Sequence, residues 1–463
     1  MVPDRLAPLL DETRAIAERF EAAGKKLYLV GGAVRDAILG RERPEWDFTT
    51  DARPEETEAI VGGWADALWL QGKRFGTVGA RKDGQLFEIT THRDEAYRPE
   101  SRKPDVRFAD AVEADLARRD FTINAMALTL PGLELIDPFD GLTDLAAQRL
   151  RTPLTPEESF EDDPLRMLRA ARFIAGYRLK PVPALSAAVS AMRARLEIVS
   201  AERIRAELDK LLVVEEPGPG LWFLVDTGLA EEFLPELPAL GLEQDPIHRH
   251  KDVLAHTVAV VERTPRDRVL RLAALLHDIG KPKTRSFGPN GVTFHHHEVV
   301  GARMARERMQ ALRYSNDDVA DVTRLVELHL RFHGYHEGDG GWTDSAVRRY
   351  ARDAGPLLDR LNVLTRADCT TRNKARAHVL SERMDLLEAR IEELREREEL
   401  AAVRPELDGR QVMAHLGIGP GPSVGRALAF LLELRLEDGP LGEEEAYRRL
   451  DEWWAAQGDA ARP

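Results

Sequence analysis

Apolar and polar positions follow two different periods in two parts of the chain. Residues 1–24 carry apolar side chains at helical spacing; KLYLVGG is a strand-like run that ends in a glycine turn, and AVRDAILG reads as a short helix behind it. EWDFTT, TVGARK and LFEITTHR are further strand-like runs, so residues 1–145 are predicted to be an α+β segment. Between Arg93 and Asp115 the chain is polar, with two prolines and mixed charge, and reads as a mobile loop. From about Glu157 the 3.6-residue period holds almost to the end, with breaks at PGPG (217–220), Gly334–Gly341 and GIGPGP (417–422) that read as joints. No solenoid repeat is present, and no run approaches 18 uninterrupted apolar residues, so no membrane span is expected. MVPDRLAPLLDETRAIAERF reads as an acidic amphipathic helix, not a signal peptide.

At 463 residues the chain is too long for one core, and four segments are predicted: 1–145, 146–245, 246–380 and 381–463. The single cysteine, Cys369, excludes an internal disulfide framework, makes a disulfide-linked partner unexpected and fits a reducing cytoplasm. A net charge of −14 looks wrong for a nucleic-acid binder, but much of the acid lies in runs such as ERMDLLEARIEELREREEL in the last third. Any RNA track must therefore be a local Arg/Lys stripe elsewhere.

The first chemistry is LVGGAVRD followed by PEWDFTT. Gly31 and Gly32 let backbone N–H groups approach a triphosphate, Ala33 opens a helix whose dipole favours anions, and Arg35 adds a charged donor. Glu45 and Asp47 are one residue apart on a strand and so share a face, and Glu88 is a third carboxylate from a neighbouring strand. Three converging carboxylates suit two Mg²⁺ ions serving an attacking 3′-hydroxyl and a departing pyrophosphate.

In ESFEDDPLRMLRAARF, Asp163, Arg166, Arg169 and Arg172 recur every three residues along one helix, with Leu165, Leu168 and Phe173 turned inward. A carboxylate only accepts and an arginine only donates. An Asp/Arg pair therefore matches the amino donor and ring-nitrogen acceptor that cytosine and adenine both present. Uracil and guanine reverse that order and would leave groups unpaired.

Histidine is gathered in one region: ten of the thirteen lie between His248 and His336. His256, the His277–Asp278 pair and Asp368 offer imidazole and carboxylate ligands for a divalent transition metal such as Ni²⁺, Mn²⁺, Co²⁺ or Fe²⁺, and His297 and His329 could complete a second site. Lys281, in HDIGKP, is a candidate phosphate contact; His250, His295, His296, His333 and His336 read as local hydrogen-bonders.

GGAVRD, WDFTTDARPEE, RRDFTINAMA and IDPFDGLTDLAAQRLRT, in that order, resemble successive motifs of class II tRNA nucleotidyltransferases, a family sharing its fold with bacterial poly(A) polymerases. The resemblance implies an α+β polymerase-beta-like nucleotidyltransferase head followed by a mostly α-helical neck, an HD phosphohydrolase domain and a tail. It implies that Gly32, Arg35 and Arg119 contact the incoming nucleotide, that Asp162-Asp163-Pro164-Leu165-Arg166 is the base-reading template, and that the tail, with LDGRQVMAHLGIGPGPSVGRALAF, grips the elbow of tRNA. Glu45 departs from the family's Asp-x-Asp; one added methylene moves the carboxylate by roughly 1–1.5 Å. The expected reaction is CCA addition to tRNA from CTP and ATP, because the segment around Arg102, Lys103, Pro104 and Val106, shortened in CC-adding relatives, looks intact. CC-only, A-only and poly(A) addition are the alternatives within the family. An HD phosphohydrolase acting on cyclic or terminal RNA phosphates, with a degenerate RNA-binding head, is the alternative of another class.

Overall fold

The alternation along the early strands is resolved by a seven-stranded sheet. The computed structural model describes residues 7–41, 46–98, 101–109, 111–242, 252–288, 291–334, 343–369, 374–398 and 404–457. They fall into two units, Met1–Pro238 and Ala239–Pro463. In the first, α1 (Ala7–Ala22) leads into β1 (Leu27–Val30), α2 (Gly32–Leu39), β2 (Trp46–Thr50), α3 (Pro54–Gly62), β3 (Ala67–Trp69), β4 (Thr77–Lys82) and β5 (Gln85–Thr91). There follow β6 (Arg93–Arg98), β7 (Ser101–Phe108), α4 (Val112–Ala117), β8 (Ala127–Leu130) and β9 (Leu135–Ile136). The sheet order is β3-β4-β5-β2-β1-β8-β9, with β2 and β5 parallel and the other neighbours antiparallel.

Each face has its own core. On one, Trp46 and Phe48 stack with Phe87, whose ring meets the edge of Trp64. On the other, Tyr28 and Val30 of β1 and Ala127 of β8 pack with Val112 and Leu116 of α4. This period-2 split is what the strand runs encode.

The stretch after Arg93 is not the mobile loop that its prolines and charges predicted. It is the antiparallel hairpin β6–β7, paired from Arg93↔Phe108 to Arg98↔Ser101, with a register shift between Ala96 and Arg98 on the part facing Pro104. A two-stranded ribbon outside the main sheet satisfies its backbone by cross-strand hydrogen bonds, so its sequence lacks the alternation that marks a half-buried strand.

The rest of this unit is helical: α5 (Gly141–Ala146), α6 (Pro156–Asp162), α7 (Leu165–Tyr177), α8 (Pro183–Met192), α9 (Ala201–Leu212) and α10 (Gly218–Asp226). Thr155 and Glu158 form a capping box that starts α6. α7 buries Met167, Leu168, Ala170, Ala171 and Phe173 against α9 and α10. PGPG is a packing contact and not a joint, since a Cβ on Gly220 would stand 2.5 Å from the Ala171 carbonyl oxygen.

The second unit contains α11 (Val253–Arg263), α12 (Arg268–Leu276), α13 (Lys281–Thr284), α14 (His297–Ala311), α15 (Asn316–Leu328), α16 (Arg331–Gly334), α17 (Asp344–Ala354) and α18 (Leu358–Asp368). It ends with α19 (Lys374–Glu398), α20 (Gly409–Leu416), α21 (Pro422–Asp438) and α22 (Glu443–Ala456). Leu407, Val412, Ala427, Leu431 and Leu450 form the core of the last three helices. Arg348 of α17 donates to the carbonyls of Leu436 and Glu437 at the end of α21, satisfying terminal acceptors there. Among the described residues no helix is long and apolar enough to cross a membrane.

Candidate active sites

In the first unit Asp47 on β2 is directly paired with Glu88 on β5. Trp46 and Phe48 turn into the core, which leaves Asp47 half-buried on the opposite face beside an exposed Glu88. Two of the three predicted carboxylates thus meet; Glu45 lies outside the described residues. β1 ends in a turn at Gly31, whose φ of +68° with ψ of −133° is a conformation open to glycine and strained for any L-residue. A Cβ at Gly31 would stand 2.7 Å from Arg119 Nη1 and 3.9 Å from Asp47 Oδ2, so the glycine turn, Arg119 and Asp47 form one cluster. Gly32 begins α2, whose N-terminus offers unpaired N–H groups and a positive dipole end. Asp115 holds Arg119 at 3.2 Å, and the buried Nε of Arg119 has no hydrogen-bond partner among the described residues.

Arg35 is buried and committed. It donates to both oxygens of Asp36, at 3.0 and 2.8 Å, to Asn124 Oδ1 and to the Tyr177 hydroxyl, and stacks 4.2 Å from the Tyr177 ring centroid. Asn124 in turn donates to Asp120 at 2.8 Å, and Asp120 accepts from Arg169 at 2.9 Å. Arg172 donates to Glu207 at 2.7 Å. Burial disfavours a charged Asp120, but the Arg169 charge, the Asn124 hydrogen bond and the Arg169 hydrogen bonds outweigh it and hold the carboxyl well below its usual range. The Arg35, Asn124 and Arg169 bonds tie the helix behind the glycine turn to α7, and Arg172 ties α7 to α9.

The arginine stripe is divided by its partners. Arg166 is buried and donates to Ser159, at 2.9 Å to the hydroxyl, and to the Arg118 carbonyl. Asp163, predicted beside it, caps Leu165 N at 3.2 Å and pairs with Arg203 Nη2 of α9 at 2.7 Å. Arg203, Asp120, Asn124, Tyr177 and Glu207 were not singled out by sequence. RRDFTINA held the only signal, an acid and an amide four apart; Arg203 is 40 residues from Asp163 and gave none. Arg102, Lys103, Pro104 and Val106 fall on β7, and their side chains lie outside the described residues.

In the second unit the predicted ligands converge. His277 and Asp278 directly follow α12, His329 directly follows α15 and Asp368 is the last residue of α18; helix C-termini carry partial negative charge and favour a cation. His256 Nε2 lies 2.9 Å from Asp368 Oδ1 and 3.3 Å from His277 Nε2; His277 Nε2 lies 3.2 Å from Asp278 Oδ2. On the other side of Asp278, Oδ1 is 3.3 Å from His297 Nε2 and 4.0 Å from His329 Nε2. The ligand atoms form two groups that share Asp278, His256–His277–Asp278 and Asp278–His297–His329.

The residues fit metal ions. His277, His297 and His329 each direct Nδ1 at a carbonyl three residues earlier, at 2.7, 2.8 and 2.6 Å. At His297 and His329 that bond places the proton on Nδ1 and leaves Nε2 a lone pair, the arrangement of a ligating imidazole, while at His277 it leaves Nε2 as the position that a second proton or a metal takes. The Nε2 atoms of His297 and His329 are buried without a hydrogen-bond partner among the described residues, a cost that a metal would remove. Burial, with the neighbouring His277 charge, pushes His329 down to about 4, which keeps its lone pair available at neutral pH. For His277 burial acts in the same direction, but Asp278 and Asp368 outweigh it and push it up to about 10. That proton is one a cation would displace. Lys281 Nζ donates to Asp278 Oδ2 at 2.7 Å. Of the histidines set aside, His296 is exposed in the left-handed region at φ +60°, His333 has its side chain outside the described residues, and His250 and His336 lie outside them.

Three stretches of the chain match models of known families. Residues 27–151 match the poly A polymerase head domain, 179–240 a probable RNA and SrmB-binding site of polymerase A, and 251–373 the HD domain. An A-adding tRNA nucleotidyltransferase of Deinococcus radiodurans is 34% identical over 450 residues, covering 93% of this chain and 95% of its own. A CC-adding tRNA nucleotidyltransferase of Thermus thermophilus is 33% identical over 454 residues, covering 94% and 95%. The CCA-adding enzyme of Latilactobacillus sakei is 40% identical over 267 residues, 56% of this chain and 66% of its own. The fold matches that of the Bacillus stearothermophilus CCA-adding enzyme in complex with CTP, with a TM-score of 0.66 at 22% identity over 99% of this chain and 100% of the other. Because relatives at a third identity are matched over nearly their whole length, from head through HD domain to tail, this chain belongs to the tRNA nucleotidyltransferase family.

Proposed function

We propose that the head adds CCA to the 3′ end of tRNA from CTP and ATP, without a nucleic-acid template. One observation carries the reading: Asp47 and Glu88 are paired on parallel strands, beside the Gly31 turn and Arg119. Oxygen donors alone suit Mg²⁺, which when bound supplies charge neutralisation and Lewis acidity to phosphoryl transfer. Asp47 and Glu88 would hold it with Glu45. The N–H groups at the start of α2 receive the triphosphate, and Arg119 neutralises charge beside it. Asp163 accepts from the exocyclic amino group of cytosine or adenine, with Arg166 and Arg203 as the donors next to it; Arg35 and Arg169 hold the turn against the template helix, and Arg172 holds that helix against α9. The tail, residues 381–463, grips tRNA away from the reacting end. The reaction is placed in the cytoplasm, where Cys369, its thiol pushed up to about 11 by burial, stays reduced.

A second reading has its own support, since two relatives matched over nearly the whole chain are an A-adding and a CC-adding enzyme. Incubating the protein with Mg²⁺ and tRNA ending before CCA or after CC, with CTP, ATP or both, decides. Full CCA addition requires C and then A on the shorter tRNA; incorporation of one nucleotide alone assigns the half-reaction. No incorporation from any nucleotide leaves the HD phosphohydrolase with an RNA-binding head. The HD site is proposed to hydrolyse 2′,3′-cyclic or terminal phosphates of RNA ends with Ni²⁺, Mn²⁺, Co²⁺ or Fe²⁺, the six ligands acting as the metal cradle and Lys281 as a phosphate contact.

A further inference from the structure

One part of the head surface has no task in nucleotide binding. Asp47 pairs with Glu88, Glu88 with Gly79 on β4, and Gly79 with Trp69 on β3. Directly paired residues point to the same face. The row therefore carries two carboxylates, a gap where glycine has no side chain, and a tryptophan. The ring leans into the gap: Trp69 Cε3 lies 3.4 Å from where a Gly79 Cβ would stand. Leu86, two residues before Glu88 and paired with Arg81, lies on the same face. Trp69 is 39% exposed and Leu86 48% exposed, and Arg81 is exposed beside them. The reverse face of the same strands buries Val78, Ala80, Phe87 and Ile89, so among the described residues this half of the sheet has one packed face and one bare one.

The bare face is continuous with the carboxylates, which points to the strand whose end reacts there. A flat aromatic ring offers stacking to any base, and Arg81 offers charge to a phosphate. Two exposed apolar side chains are far short of the roughly 1,200 Å² that a stable protein interface buries. Strands lie about 4.8 Å apart, which puts Trp69 about 10 Å from Glu88 and about 15 Å from Asp47. A stacked strand advances about 3.4 Å per nucleotide, so that distance is about three or four nucleotides.

We propose that Trp69, with Leu86 and Arg81, is a stacking platform for the RNA strand three or four nucleotides before the reacting 3′ end. The proposal rests on nucleotidyl transfer occurring at Asp47 and Glu88. It is tested with a short single-stranded RNA primer carrying 2-aminopurine singly at each of the last few positions, with no nucleotide added, since stacking quenches this base. The expected profile has its deepest quench at the third or fourth position. Trp69→Ala abolishes it and Trp69→Phe retains most of it; in steady state Trp69→Ala raises KM for RNA about five- to hundred-fold while KM for CTP holds. Arg81→Glu raises KM for RNA more at low salt than at high. An unchanged profile and RNA KM in Trp69→Ala overturns the proposal. So does a Trp69→Phe variant as defective as Trp69→Ala, because the ring would then be packing the head and not a base. If the wild type incorporates no nucleotide, the transfer reading fails, while the quench, which needs no chemistry, still decides the platform.

Discussion

Gly280→Ala should empty one half of the HD site while leaving the other. Gly280 follows the His277–Asp278 pair, and a Cβ there would stand 2.1 Å from the His297 carbonyl oxygen and 2.7 Å from Gly301 N. Both obstacles are backbone, so no side chain can swing aside. Such contacts are essentially never found below 3.0 Å, and α14 must withdraw by about 0.9 Å. His297 is the first residue of that helix, and its Nε2 lies 3.3 Å from Asp278 Oδ1. Metal–imidazole distances tolerate only about 0.2 Å, so the movement removes His297 from the ligand set. In an Asp47→Ala background, which removes a metal ligand of the head, metal content after Mn²⁺ loading, measured by plasma mass spectrometry, should fall from two ions per chain to one. Hydrolysis of 2′,3′-cyclic AMP should drop by about 100-fold, the usual cost of a 1 Å misplacement. Overpacking should destabilise the second unit by about 1–3 kcal/mol. A folded variant that binds two ions and hydrolyses normally would refute the argument that this glycine sets the spacing between α14 and Asp278.

Three further expectations follow from the first unit. Asp47→Ala should abolish nucleotide incorporation yet leave CTP binding measurable by equilibrium dialysis, because the base is read at α7 and not at β2; near-normal incorporation removes Asp47 from the metal site. Arg203→Gln should shift the ratio of CTP to UTP incorporation by an amount worth about 1–3 kcal/mol, since Asp163 loses the charged partner that orients it; an unchanged ratio assigns Arg203 to structure alone. Asp120→Ala should cost about 3–5 kcal/mol in urea denaturation at pH 7, by leaving Arg169 and Asn124 without their shared acceptor. Its folded pKa lies below the unfolded one, so its contribution is present above about pH 4 and fades as pH falls below that. The gap between wild type and variant should therefore narrow toward acid, and a gap that is constant with pH would contradict the assignment.

Much of both sites was legible in the sequence because their chemistry is local. A period of two around Trp46, Asp47 and Phe48 fixes which side chain leaves the core, and GG before a helix fixes the turn whatever packs on it. The HD ligands were legible for a similar reason: histidine has few structural uses that would gather ten copies in one segment. Other features depend on partners far along the chain. Arg166, Arg169 and Arg172 look equivalent on one helix, yet burial against Ser159, Asp120 and Glu207 gives each a separate role. Asp163 finds Arg203 and not Arg166, because α9 packs against α7 and brings a second guanidinium within 2.7 Å. The hairpin after Arg93 left no periodic trace, since pairing to a single neighbour asks only for backbone hydrogen bonds. Gly220 reads as part of a joint, but its contact with Ala171, like that of Gly280 with His297, shows that these glycines permit backbones to touch. Spacing along a chain determines which side chains can share a face; only packing determines which of them meet, because a buried donor or acceptor must take whatever partner the neighbouring element brings.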